Sequence, residues 1–452
     1  MKCHNSCKPR LAILIFTLIL SLSFLAACSP AAENPSGTGS YIINTPNGGA
    51  TPGNGSQELT YTDIRLLSAG DIMYHMPQVN SAYRPASGTY DFTENFQYVK
   101  KFISAADYAV VNFETTLANQ NKYTSYPTFN SPLSVLDSIK DAGFDMLLFA
   151  NNHCYDYKKE GFLATLGHFQ EYGFDSIGGK TDASAKSYMV KEVKGIKLGL
   201  MNYADTLTQP NGQYNTINGI TINDGCEEFM DIYVRGKEDA LYAEVAARIS
   251  ELKANGAELI ILYIHWGDEY QLQPVGSQKA VAQKLCDLGV DVIIGSHPHV
   301  IEPMEILTSQ SDPSRSTICF YSLGNFISNQ NRLSFQDLDH AVRPYTENGL
   351  MVTLNIRKYS TGDVFVNAIE YTPTWVHRYP DTDGNYNYNI VPLPQAYQDP
   401  ASYGLTASDF GVDHATAAFQ MTDTVFSASV LAFNTKMADD IAAFSQAFSG
   451  NS

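Results

Sequence analysis

The sequence predicts an α/β fold, and three observations carry the prediction. Several short runs are almost wholly apolar, among them "YAVVNF" at 108–113, "ELIILYI" at 258–264 and "ICFYSL" at 318–323. Such runs lack the alternation of a half-solvated sheet and read as strands covered on both faces. One punctuation recurs as "DAGFD" at 141–145, "EYGFD" at 171–175, "ANGAE" at 254–258 and "DLGVD" at 287–291. Each follows apolar residues at helical spacing and leads into a strand, so each glycine is expected in the left-handed conformation that ends a helix. Finally, the residues able to do chemistry collect just past the strand ends, where open α/β sheets bind their ligands.

Taken in chain order, the first residues stand apart from the fold. Lys2, Lys8 and Arg10 precede an apolar run from Leu11 to Ala27, and "LAAC" at 25–28 puts small residues before a cysteine. This is the pattern of a lipoprotein signal peptide, residues 1–27, whose removal leaves Cys28 as the lipidated N-terminus. The run is shorter than the roughly 20 residues that span a bilayer comfortably. Residues 28–60 are rich in Gly, Pro, Asn, Ser and Thr and read as a flexible tether. The folded part is therefore expected on the extracytoplasmic face of a bacterial membrane, held there by lipid.

The main domain is expected over 61–375. Its strands are read at 64–70, 108–113, 145–150, 197–203, 258–264, 290–295 and 318–323, alternating with helices. After Gly349 the texture changes: "LMVTLNIRK" and "DVFVNAIEYTP", joined by "YSTGD", read as an added hairpin. Residues 376–452 form an extension packed on the core. In it, Tyr379 to Gln398, rich in Asn, Asp, Tyr and Pro, is expected to be irregular, and 423–448 to be helical.

The formal charge is −18. Losing Lys2, Lys8 and Arg10 with the signal takes one positive unit each and leaves −21. That balance excludes nucleic acid and disfavours an anionic lipid surface as partners unless bound cations offset it. Four cysteines remain for the fold, Cys154, Cys226, Cys286 and Cys319, and a chain of this size does not depend on a disulfide framework.

The strand ends read "GDIMYH", "NFETTL", "NNHCYD", "HWGDEY", "GSHPH" and "SLGNF", and they hold His75, His153, His265, His297 and His299, half of the ten histidines. In "GVDVIIGSHPHV", Pro298 cannot continue a ladder, so both of its flanking imidazoles fall on the loop past the strand. Histidines gathered with Asp71, Glu114, Asn152 and Asp156 make a mixed nitrogen and oxygen donor set that suits Mn, Fe, Zn or Co. Other polar features take plainer readings. Trp266 and Tyr270 read as core aromatics in preference to a pocket wall, Cys154 as a small buried residue, and Ser296 as a loop hydrogen-bonder. Asp156 either orients His153 or caps the helix that begins near Lys158.

These six motifs, in this order from Leu66 to Ile327, resemble the signature of the CapA-type poly-gamma-glutamate capsule biosynthesis proteins, a family similar to the calcineurin-like metallophosphoesterases. The resemblance implies a layered α/β/β/α sandwich with an added C-terminal hairpin and helix. It implies two divalent metal ions held by Asp71, His75, Glu114, Asn152, His265, His297 and His299, with His297 and His299 facing different ions. His75 follows Asp71 by four positions, wider than in the phosphoesterase signature, and Glu114 takes the place of a bridging aspartate. His153 would face the substrate as an acid, with Asp156 beside it. The function implied is the making, export or trimming of an extracellular poly-gamma-glutamate-type polymer through a metal-dependent hydrolase-like site. Its substrate would be an anionic polymer or a phosphate-containing molecule, and its neighbours membrane-bound polymer synthase subunits. Two alternatives stand beside it: a non-catalytic assembly or binding factor, and a phosphoesterase acting on cell-envelope phosphates.

Overall fold

A computed structural model of the chain describes residues 39–41, 59–334, 338–380, 384–406 and 411–450. The expected signal peptide, Cys28 and most of the tether lie outside these residues. Among the described residues no helix is long and apolar enough to cross a membrane.

Two sheets, each of nine strands among the described residues, stack face to face. The first is parallel through the strands Leu59–Ile72, Tyr108–Phe113, Met146–Leu148 and Asp175–Ile177. The second is parallel through Ile196–Thr208, Leu259–His265, Val292–Ser296 and Ser316–Leu323. Period-2 geometry explains why these runs are apolar throughout. Leu66 and Val110 point into the layer between the sheets, where they meet Leu198, Ile261, Ile294 and Phe320. Leu67 and Val111 point the other way, under helices Ser134–Ala142 and Lys158–Glu171. In the second sheet, Ile260 and Ile293 likewise face helices Asp239–Ala254 and Gly276–Leu288. The result is the expected α/β/β/α layering.

The hairpin after Gly349 is present as strands Asn348–Tyr359 and Val364–Pro380, which pair antiparallel and extend the first sheet beside Leu59–Ile72. The helix predicted over 423–448 runs longer, from Gly411 to Gly450. Its Phe426, Val430 and Phe433, one or two turns apart, enter the layer between the sheets. The irregular segment expected at 379–398 is instead a strand, Tyr386–Pro392, followed by a short helix, Leu393–Gln398. Composition misleads here because the strand takes its order from pairing with Val364–Pro380, which buries Tyr388, Ile390 and Val391 despite the intervening asparagines. The strand Val364–Pro380 also runs across the boundary drawn at residue 375.

All four helix-to-strand glycines are left-handed: Gly143 at φ 105, Gly173 at 70, Gly256 at 89 and Gly289 at 100. At Gly143 a Cβ would also come within 3.0 Å of Ser104 Oγ and 3.2 Å of its Cα. Gly143→Val is therefore expected to lower stability by about 1 kcal/mol or more through backbone strain alone. Chemical denaturation would measure this, and a midpoint unchanged from wild type would contradict it. The four cysteines of the fold are separate buried thiols.

Candidate metal centre

The carboxyl ends of the two sheets meet, and the carboxylate and imidazole side chains of the strand-end motifs stand at that meeting. From the first sheet, Asp71 pairs in register with Asn112, whose Nδ2 donates to Asp71 Oδ1 at 2.8 Å. Glu114 follows two residues later, fully buried. The strand Asn325–Ile327 closes against the same edge, and Asp71 N donates to Gly324 O at 2.9 Å. Only glycine fits at position 70, since a Cβ there would lie 1.9 Å from Gly324 O. The glycines of "GDIMYH" and "SLGNF" are thus two halves of one close approach.

From the second sheet, His265 ends its strand beside Ser296 of the next, and Ser296 Oγ lies 2.9 Å from His265 Nδ1. That contact occupies Nδ1 and directs Nε2 toward Asn152 Oδ1 at 3.1 Å, His297 Nδ1 at 3.1 Å and Glu114 Oε1 at 3.7 Å. His299 lies 3.3 Å from Asp71 Oδ2 through Nδ1 and 3.6 Å from Glu114 Oε1 through Nε2. Two donor groups result, Glu114–His265–His297 and Asp71–Glu114–His299, each with its ligand atoms within 4.8 Å of one another. Glu114 belongs to both groups, and the residues flanking Pro298 fall one into each.

The backbone around Pro298 is forced into this shape. His297 at φ 98 and His299 at φ 56 are left-handed, a conformation that costs a non-glycine residue on the order of 1–3 kcal/mol. Three hydrogen bonds hold it: Trp266 N to Ser296 O at 3.1 Å, Tyr270 N to Pro298 O at 2.8 Å, and Asn325 Nδ2 to His299 O at 3.3 Å.

Burial governs the electrostatics. It holds the His265 and His297 imidazoles well below their usual range, and neighbouring imidazoles add to the effect. Burial likewise raises the Glu114 carboxyl well above its usual value, with the Asp71 charge adding to it. Burial opposes charge on His299 too, but the adjacent Asp71 carboxylate outweighs it, and the net shift is upward. The residues fit a divalent cation on an independent ground. Asp71 Oδ2, Glu114 Oε1 and His299 Nδ1 are buried without a hydrogen-bond partner, at a cost of about 1–3 kcal/mol each that a shared cation would relieve. Neutral imidazoles with free lone pairs are the form that ligates.

His153 stands at the edge of this cluster, and its Nδ1 lies 2.7 Å from Asp156 Oδ2. Asp156 caps no helix: the helix from Lys158 begins without a side-chain cap, and the Asp156 carboxylate also accepts from Phe129 N at 2.6 Å. Asn218 Nδ2 donates to Asp156 Oδ1 at 3.1 Å and to Pro127 O at 2.9 Å. Asn218 Nδ2 also lies 3.2 Å from His153 Nδ1, but those two bonds use both amide hydrogens, and the 2.7 Å contact with the Asp156 carboxylate places a proton on His153 Nδ1. His75 belongs to neither donor group. It begins the helix Met76–Ala82, meets Phe129 edge-on at 5.0 Å, accepts from Asn329 N at 3.3 Å, and is held by burial down at about 3.

A pocket of about 400 Å³ opens over the centre, and His75, His153, His299, Glu269 and Tyr270 line it. Tyr270 is thus a pocket wall, because its own left-handed backbone (φ 64) turns the ring out beside His299. Trp266 is core as expected, stacked on Tyr321 with Nε1 donating to Tyr321 O at 3.0 Å. Cys154 is buried, and burial pushes its thiol far above the usual range. Three contributors were passed over in the sequence. Asn112 was visible as the one amide in "YAVVNF", a buried polar group that must find a partner. Glu269, 3.9 Å from His299 Nε2, and Asn325 carried no signal beyond their motifs.

Two stacked sheets whose strand ends converge on buried carboxylates and imidazoles define a metallophosphoesterase-like α/β sandwich. Within that class the chain belongs to the bacterial capsule synthesis protein family PGA_cap, whose model matches residues 65–330. Among curated proteins it is similar to "PGA biosynthesis protein CapA" of Bacillus subtilis (strain 168), 29% identical over 290 residues, 62% of this chain and 65% of that one. It is similar to "Capsule biosynthesis protein CapA" of Bacillus anthracis, 28% identical over 317 residues, 66% of this chain and 68% of that one. A "Probable polyglutamine synthesis accessory protein" of Mycobacterium tuberculosis (strain CDC 1551 / Oshkosh) is 22% identical over 208 residues, 45% of this chain and 52% of that one. The matched stretch thus spans about two thirds of the length of the Bacillus relatives.

Proposed function

We propose that the chain serves the synthesis, export or trimming of poly-gamma-glutamate or a similar anionic polymer at the cell envelope, through a metal-dependent hydrolase-like site. The observation that carries this reading is the sharing of Glu114 between two donor groups beside the His153–Asp156 pair. The name of the Bacillus subtilis relative supplies the polymer, and that of the Bacillus anthracis relative the capsule. Asp71, Glu114, Asn152, His265, His297 and His299 would hold two divalent ions, with His75 at the rim. Bound there, such ions supply an activated water and stabilise negative charge in the transition state.

The chain's own residues do the rest. Asp156 accepts a hydrogen bond from His153 Nδ1–H, so that in the doubly protonated ring Nε2–H is the donor that delivers a proton to a leaving group in the pocket, and Nδ1 keeps its own. Phe129, edge-on to His153 at 4.6 Å, keeps the ring from turning. Outside the described residues, Cys28 would carry the lipid anchor, and polymer synthase subunits would be the membrane neighbours.

The test is the metal content of the purified full-length protein, measured with turnover of poly-gamma-glutamate and of a generic phosphodiester. Metal-dependent cleavage of the polymer is expected. Bound metal with no turnover of either substrate would replace this reading with a non-catalytic assembly factor, and turnover of the phosphodiester alone would replace it with an envelope phosphoesterase.

A further inference from the structure

A second pocket, of about 260 Å³, adjoins the first. The segment from Asn329 to Ser334 divides them: Asn329, Gln330 and Ser334 line the metal-centre pocket, and Asn331, Arg332 and Leu333 line the second. The charges of the two differ. The first is lined by Glu269 and by no lysine or arginine. The second is lined by two arginines, Arg332 and Arg378, and one carboxylate, Glu347.

Arg332 is neutralised within the protein. Its Nε lies 2.9 and 3.1 Å from the two carboxylate oxygens of Glu347, and Trp375 Nε1 donates to Glu347 Oε2 at 2.9 Å. Arg378 differs. Its guanidinium stacks 3.4 Å over the Tyr386 ring and reaches the Tyr388 hydroxyl, no carboxylate among the described residues pairs with it, and its Nε is buried without a hydrogen-bond partner. Stacking on a ring fixes the plane of a guanidinium, and its forked donors match the geometry of a planar oxyanion.

We propose that this second pocket is a substrate subsite that takes a carboxylate of an acidic polymer chain whose neighbouring part lies over the metal centre, with Arg378 making the contact. The proposal rests on the polymer reading of the metal centre and adds a feature to it. A chain of formal charge −18 must draw a polyanion by local cations. The metal centre would provide one such point, and Arg378, in the pocket across the Asn329–Ser334 segment, provides another.

The experiment titrates the full-length protein with a γ-linked glutamate hexamer, and separately with inorganic phosphate, reading the emission of Trp375, which lines the second pocket. Wild type is compared with Arg378→Gln and Arg378→Lys. Arg378→Gln is expected to weaken hexamer binding by about tenfold or more and to flatten its salt dependence, while Arg378→Lys keeps part of the affinity. Metal content should stay at the wild-type level in both variants, which separates this subsite from the metal centre. Equal hexamer affinity in wild type and Arg378→Gln overturns the proposal. So does an Arg378 effect seen with inorganic phosphate alone, or wild-type protein that binds no hexamer. The polymer reading itself is judged apart, by the turnover and metal measurements above.

Discussion

Glu114→Gln is expected to abolish metal binding in both donor groups at once, whereas His297→Ala or His299→Ala weakens one group each. The reason is geometric: Glu114 is the residue common to the two clusters, and its buried Oε1 faces both His265 and His299. Loss of a shared ligand should exceed the roughly 10- to 100-fold affinity loss seen when only a supporting partner of a ligand is removed. Elemental analysis of the purified variants gives the answer directly. The metal-free variant should be as stable as metal-free wild type or more so, because glutamine removes a buried carboxyl that burial and the Asp71 charge already disfavour in its charged form. A Glu114→Gln protein that keeps its metal would end the bridging assignment. One that loses stability without metal would show the cluster to be a structural hydrogen-bond network.

His153→Ala is expected to cut any hydrolytic rate by on the order of a hundredfold or more while leaving metal content unchanged. His153 is outside both donor groups, and its Nδ1 is committed to Asp156, so its removal takes away a proton donor and no ligand. Asp156→Asn should give a smaller loss of the same kind, because it disturbs the tautomer and the ring orientation while leaving the imidazole in place. Steady-state rates at saturating metal, with metal content measured on the same samples, decide the matter. Together the two substitutions separate an enzyme, which requires both outcomes, from a metal-braced assembly factor, which requires only the first.

The strands and their joints were legible because they rest on local rules. "YAVVNF" must be a strand covered on both faces, and Gly143 and Gly289 must end helices, since apolar periodicity and backbone sterics act over a few residues. The donor residues were legible for the same reason. Asp71, Glu114, Asn152, His265, His297 and His299 each stand at the end of an apolar run, where a parallel sheet presents its loops to one side. Tyr386–Pro392 was misread because its order comes from a neighbouring strand and not from its own composition. Tyr270 was assigned to the core because nothing local reveals that its backbone turns left-handed against Pro298.

The sequence by itself therefore determined the fold class, the sheet-end placement of the chemistry and the kinds of donor available, all of which follow from short-range periodicity and side-chain type. The tertiary structure alone decided the distances at which Glu114 stands from the two clusters and His297 and His299 from each other, that Asp156 belongs to His153 and not to a helix end, and that His75 stands outside both clusters. Each of those depends on how two sheets distant in sequence stack and twist. A shift of one residue in register would have turned Asp71 or His265 to the opposite face.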